Sequence, residues 1–366
     1  MCVKTVGIKE YLAFVQACYR KDLWFKDNKT AVIKMVTHPR SAFYRNSQQH
    51  IAGVFDDHGL RTGCIFIRHQ QYPDNLMMAF FESMDQDTHT LHQLIQYAND
   101  LAASWRCAKL IAGLDGHIAY SMGYLEGGSH DFPAFGQSYN PVWYGSLFTH
   151  FGFTQTRLVC YKGAISTTPV DKLGTYRMKG NIRLDHADFS GKKALKQLVA
   201  RYVNLNTACF FDHKYFFPRS FEEEFELFNT MRPLLRPENF IFAYIDHKLC
   251  GFLFWYHDFN ELVPPQGAAD WKTYVKFKLL GRYPITVKIE EMAIIPEYQN
   301  TPLIAVLFAE MSKIVALKYP KTTHVTSSWI LEENIRSMRF SKRGFQEPFK
   351  RFSVYERSLK NQIETN

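Results

Sequence analysis

The sequence predicts a mixed α/β fold, with a mixed sheet in each of two fused copies of one unit. Three observations carry this expectation. Stretches of helical period alternate with short runs rich in β-branched and aromatic residues, the pattern of packed helices and strands. Both halves run in one order: helix, loop, hairpin, strand, helix, strand, short helix, Gly-Phe, strand. Gly152-Phe153 and Gly344-Phe345 fall at equivalent points, so a tandem repeat of roughly 160 to 180 residues is expected. A length of 366 residues also suits two cores better than one. The units are placed at 1–165 and 182–366, joined by a Gly, Ser, Thr and Pro-rich linker at 166–181 that lacks a hydrophobic face.

In the first half, Tyr11, Leu12, Val15, Cys18 and Tyr19 give residues 8–25 a helical period. Residues 51–55 and 62–68 alternate around Asp56-Asp57-His58-Gly59 and read as a hairpin. A strand at 76–84 and a helix at 89–105 follow, the helix burying Leu91, Leu94, Ile95, Ala98, Leu101, Ala102 and Trp105. A strand at 110–114 leads into a long ordered loop, 115–141. A short helix at 143–151 and a closing strand at 153–161 complete the unit.

The second half opens with a helix from Ser190 carrying Leu195, Leu198, Val199 and Tyr202. A Phe-rich loop and helix at 210–228 come next, then a hairpin, 240–245 and 249–255, about Asp246-His247-Lys248. A strand at 287–295 is ended by Pro296, which has no N–H to donate. Leu303, Leu307, Met311, Ile314 and Leu317 then recur at helical spacing, with Thr301 as N-cap and Pro302 at the first helical position. A strand near 322–328, a helix after Asn334 and a last strand at 351–355 end the chain.

With 46% hydrophobic residues the chain has ample core material. Its net charge of +9 is scattered rather than blocked, which suits an ordinary basic protein better than a nucleic-acid binder; tRNA is the nucleic acid left open. Seven widely spaced cysteines suggest neither a disulfide framework nor a metal site, and no metal ligands are assigned. No stretch approaches the roughly 18 apolar residues of a membrane span. A cytoplasmic protein with no membrane partner is expected.

A strand delivered through a tight turn to a helix N-terminus makes an anion site, because free N–H groups and the helix dipole converge there. Residues 287–319 have this order. Met292-Ala293-Ile294-Ile295-Pro296-Glu297-Tyr298-Gln299 resembles the acyl-CoA-binding segment of the GNAT acyltransferase superfamily. Pro302 stands where that family has Gly, and Ile304 where it has Gly or Ala. Ser328-Trp329-Ile330-Leu331-Glu332-Glu333-Asn334 extends the likeness, and the whole plan is similar to proteins of two fused GNAT-like domains.

The resemblance implies that acetyl-CoA or another acyl-CoA is held by the second unit. Met292, Ala293 and Ile294 would pair with the pantetheine arm. The pyrophosphate would lie on Gln299, Asn300, Thr301, Leu303 and Ile304, with Asn334 close by or capping its helix. The first unit would lack the site, since Asp85 and Asp87 occupy its helix N-terminus. Acyl transfer to an amine needs a base, and Glu290 and Glu291 are the candidates. Strand alternation sends them to opposite faces, and Glu290, sharing a face with Met292 and Ile294, is preferred. Phe340 stands at the general-acid position and cannot donate a proton. The expected activity is acyl transfer to an amine of a small or peptide-like substrate. The alternatives are a silent binding or scaffold protein, or a transferase fed by a carrier protein or an aminoacyl-tRNA.

Overall fold

The computed structural model describes residues 1–127, 131–165, 180–345 and 347–359. Most of the expected linker, 166–179, lies outside them. The first half contains β1 (Cys2–Thr5), α1 (Ile8–Cys18), α2 (Thr30–Val36), α3 (Ala42–Arg45), β2 (Ser47–Asp56), β3 (Gly59–His69), β4 (Asn75–Ser83), α4 (Thr88–Ser104), β5 (Lys109–Ala112), β6 (Tyr124–Gly127), α5 (Tyr144–His150) and β7 (Thr154–Ala164). The second contains β8 (Ile182–His186), α6 (Lys192–Phe210), α7 (Phe221–Met231), β9 (Phe240–Ile245), β10 (Lys248–His257), α8 (Trp271–Tyr274), β11 (Thr286–Ile294), α9 (Leu303–Lys318), β12 (His324–Ser327), β13 (Ile330–Leu331), α10 (Ile335–Phe345) and β14 (Pro348–Ser358).

The strands form one sheet in the order β1-β2-β3-β4-β5-β14-β7-β12-β11-β10-β9-β8, with β6 paired to β14 and β13 to β7. Among the described residues only β4 with β5 and β11 with β12 run parallel. The halves exchange their last strands. β7 closes the second half by pairing with β12, and β14 closes the first by pairing with β5. The strand at 153–161, expected to close its own unit, therefore serves the other. Either unit alone would expose an unpaired strand edge.

The exchange extends to side chains. Tyr215, Leu331, Phe352 and Val354 of the second half are buried in the apolar cluster of α1, α2 and the first sheet. α4 and α5 cover that sheet's other face. In the second half α6 and α7 cover one face with Phe252, Phe254 and Tyr256, while α9 covers the other with Leu253, Trp255 and Ile289.

Both hairpins form as expected, the second through Asp246 and His247 at φ 46° and 70°, a turn geometry that polar residues tolerate. β1, β6, β8, α2 and α3 were not anticipated. α1 stops at Cys18 instead of reaching 25, because the chain turns back to stack Tyr19 on Phe25 at 4.1 Å. In α9, Leu303, Leu307, Met311 and Ile314 are buried, but Leu317 is exposed and Val315 takes its place on the inner stripe. No helix among the described residues is long and apolar enough to cross a membrane.

Candidate active site

β11 and β12 separate like the arms of a fork. Their pairing covers only Thr286 to Ile289, and the Ser328 N–H closes the crotch by donating to the Ile289 carbonyl at 2.8 Å. The chain then leaves to pair β13 with β7. Residues 290–294 keep β10 on one side, and among the described residues no strand pairs with their other edge. The Ser328 hydroxyl at the crotch is shielded from solvent and has no hydrogen-bond partner among the described residues. An extended ligand with amide groups would satisfy such an edge as an added strand does.

A β-bulge sits at the base of the fork. Trp255 faces Ile289 and the next residue, Phe254, faces Glu291, so Glu290 is the extra residue. The bulge cancels one step of alternation and overturns the expectation of opposite faces. Glu290 and Glu291 both turn toward the α6 side, whereas Met292 and Ile294 pack toward α9.

The two carboxylates are bound differently. Glu290 Oε2 accepts from the Tyr256 hydroxyl at 2.6 Å and forms an ion pair with Lys288 Nζ at 2.6 Å. Glu291 Oε2 accepts from the Tyr202 hydroxyl at 2.7 Å and from Asn206 Nδ2 at 3.1 Å. Its Oε1 has no partner among the described residues, and the residue is only partly buried. Loss of solvation pushes the Glu291 carboxyl up to about 8, with Glu224 and Glu290 adding repulsion and the Tyr202 hydrogen bond opposing it.

A loop of the first half, 131–139, walls this face. The Phe135 carbonyl accepts from Lys288 Nζ at 3.1 Å, and its N–H donates to Asp258 at 2.8 Å. Tyr161 arrives from the first half on the exchanged strand β7. Its N–H donates to Ser327 Oγ, and its hydroxyl lies 3.6 Å from Met338 Sδ of α10.

The turn before α9 departs from expectation. Pro302, at φ −74° and ψ 12°, is the N-cap, not the first helical residue. The Thr301 hydroxyl donates to the Tyr298 carbonyl at 2.7 Å and accepts only weakly, at 3.4 Å, from the Leu303 N–H. The Gln299 and Thr301 N–H groups bond to Pro296 and Tyr298. Ile304 packs against the α9 core beside Met292. Pro302 has no N–H to give, so Asn300, Ile304 and the weakly held Leu303 are the amides this turn leaves for a diphosphate. Asn300 is exposed there, and Ala293 is buried against the α6 side. The Gln299 side chain binds the Ile294 carbonyl and accepts from Arg336 Nη1 at 2.6 Å. Asn334 caps α10 by accepting from the Ser337 N–H at 3.1 Å, and Phe340 packs edge-on to Phe308.

Sequence reasoning missed Tyr161, Lys288, Ser328 and Arg336, and it read Tyr202 only as core. The four-residue spacing of Tyr202 and Asn206 was the available signal for the pair that holds Glu291.

No known family profile matches the chain. Protein YghO of Escherichia coli is 29% identical over 159 residues, a stretch spanning 40% of this chain and 39% of that protein. A GCN5-related N-acetyltransferase from Sphaerobacter thermophilus aligns over 97% of this chain and 95% of its own at TM-score 0.51 and 9% identity. A tandem GNAT protein from the clavulanic acid biosynthesis pathway aligns over 97% of this chain and 98% of its own at TM-score 0.54 and 11% identity. With helices, fork and bulge disposed as described, the chain has the tandem GNAT fold over nearly its whole length.

Proposed function

We propose that this protein is an N-acyltransferase that moves an acetyl or longer acyl group from a pantetheine thioester, such as acyl-CoA, to an amine. The strand edge and the base would lie in 182–366, with 1–165 supplying the wall and, through β7, Tyr161. The observation that carries the reading is a carboxylate poised near neutrality beside an unpaired strand edge. The free edge of 290–294 would hold the pantetheine amides, setting the thioester near the bulge.

Glu291 would take the proton from the substrate ammonium through its free Oε1, while Tyr202 and Asn206 hold the carboxyl in place. The amine nitrogen then attacks the thioester carbonyl carbon. A C–N bond forms and the C–S bond breaks; the nitrogen sheds its second proton to solvent as the tetrahedral intermediate collapses, and the thiolate takes one up. Phe340 cannot supply it, and that role is assigned to the Tyr161 hydroxyl, a proton donor 3.6 Å from Met338 Sδ at the inner side of α10. Glu290 is held by Lys288 and Tyr256, which suits it to charge balance rather than proton transfer. The wall formed by 131–139 favours a small or peptide-like acceptor.

Thiol release from acyl-CoA and acyl-pantetheine, measured with a panel of amines, tests the proposal. Amine-dependent release that falls about a hundredfold in Glu291→Gln supports it. Amine-independent hydrolysis, or no release from any thioester, would leave the silent-scaffold reading, which the packing of Phe340 against Phe308 favours.

A further inference from the structure

We propose that the acyl group reaches this site on an acidic acyl carrier protein, docked along α10, rather than on free coenzyme A. The inference rests on the acyltransferase reading and names its donor. Two features of the site pull in different directions. The fork keeps an open strand edge and an unsatisfied Ser328 hydroxyl, as an extended pantetheine arm requires. The turn beside it keeps only part of the amide cradle that a diphosphate requires. Pro302 has no N–H and the Gln299 and Thr301 N–H groups are engaged within the chain, so Asn300, Ile304 and the weakly held Leu303 are the amides left to offer. A carrier protein presents the same arm through one phosphodiester with a single charge, so it needs no such cradle.

α10 supplies the docking surface. Its eleven residues hold Arg336, Arg339, Lys342 and Arg343, all exposed, and no acid. None of the four forms an ion pair among the described residues. The acids Glu332, Glu333 and Glu347 flank the helix without interrupting it. Arg336, Arg339 and Arg343 share one stripe, about 10 Å long at 1.5 Å per residue, while Met338, Phe340 and Ser341 face the protein. The stripe begins at the turn before α9, where Arg336 is bonded to Gln299. A stripe of two helical turns matches the acidic face of one helix better than the longer phosphate track of a tRNA.

The test compares one acyl group offered on a recombinant acyl carrier protein, on coenzyme A and on pantetheine. Expected are a kcat/KM at least about tenfold higher for the carrier protein and a carrier-dependent rate that falls as salt is raised. In Arg339→Glu/Arg343→Glu the ratio of carrier-protein to pantetheine rates should fall about tenfold, with the milder Arg339→Gln/Arg343→Gln between. Equal or better use of acyl-CoA, or transfer from aminoacyl-tRNA alone, would overturn the inference and leave an acyltransferase in place. No transfer from any donor would remove the reading beneath it.

Discussion

Each half of the molecule bends the strand before its long helix with a one-residue bulge, and each bulge sets a glutamate against a tyrosine hydroxyl. In the first half, β4 bulges between Ala79 and Glu82, with Phe80 at φ 51°. Glu82 is wholly buried, paired with Lys29 and bonded to the hydroxyls of Tyr19 and Tyr144 at 2.7 and 2.8 Å. Next to its partner Lys29 lies a cavity of about 10 Å³, lined also by Phe80, Phe81 and Asp115. In the second half Glu291 has partners on one oxygen only, and the strand edge beside it is open. The same backbone device thus gives a structural charge where both oxygens are answered. It gives a reagent where one oxygen is left free.

The helix termini repeat the contrast. Asp87 caps α4 and Asp85 pairs with Arg61, so the first half sets negative charge where an anion would bind. The corresponding turn of the second half is met by Arg336 of α10 instead.

The largest expected effect tests the closed half. Lys29→Met leaves Glu82 without its counter-ion and should destabilise the protein by about 3–5 kcal/mol, read from denaturant unfolding. A change under 1 kcal/mol would mean that the pair is not buried as described. Next is Glu291→Gln, expected to lower kcat about a hundredfold, equivalent to about 2.7 kcal/mol of barrier. Glu290→Gln should cost less, and the reverse order would exchange the roles of the two residues. Tyr161→Phe should lower kcat about tenfold, most with poor thiol leaving groups, while KM stays nearly constant.

The smallest effect is a stability trend. The Glu291 carboxyl lies above its ordinary value in the folded protein, so the folded state holds the proton more tightly than the unfolded one. This contribution is full below the ordinary carboxyl range and is lost as pH rises toward about 8. Glu291→Gln should therefore flatten the fall in melting temperature over that window. An unchanged slope would place the raised group elsewhere.

The helices, hairpins and most strands were legible because period and turn residues are local signals. Asp246 and His247 mark their turn whatever surrounds it. The exchanged strands were not legible, since 153–161 alternates in the same way whichever edge it joins. Nor were the bulges. A bulky Phe80 at positive φ carries no sequence signature, and one extra residue at Glu290 reversed the inferred facing of the next residue. That single step moved the preferred base from Glu290 to Glu291. The fork was legible only as an order of elements, because its opening depends on where β12 stops pairing with β11.

The pH dependence of kcat, measured with a saturating acyl thioester and amine in the wild type and in Glu291→Gln, tests the central claim most directly. The wild-type rate should climb to a plateau with an apparent pKa near 8, and the variant should lose that limb and remain low across the range. An identical limb in the variant would contradict the assignment of Glu291 as the base.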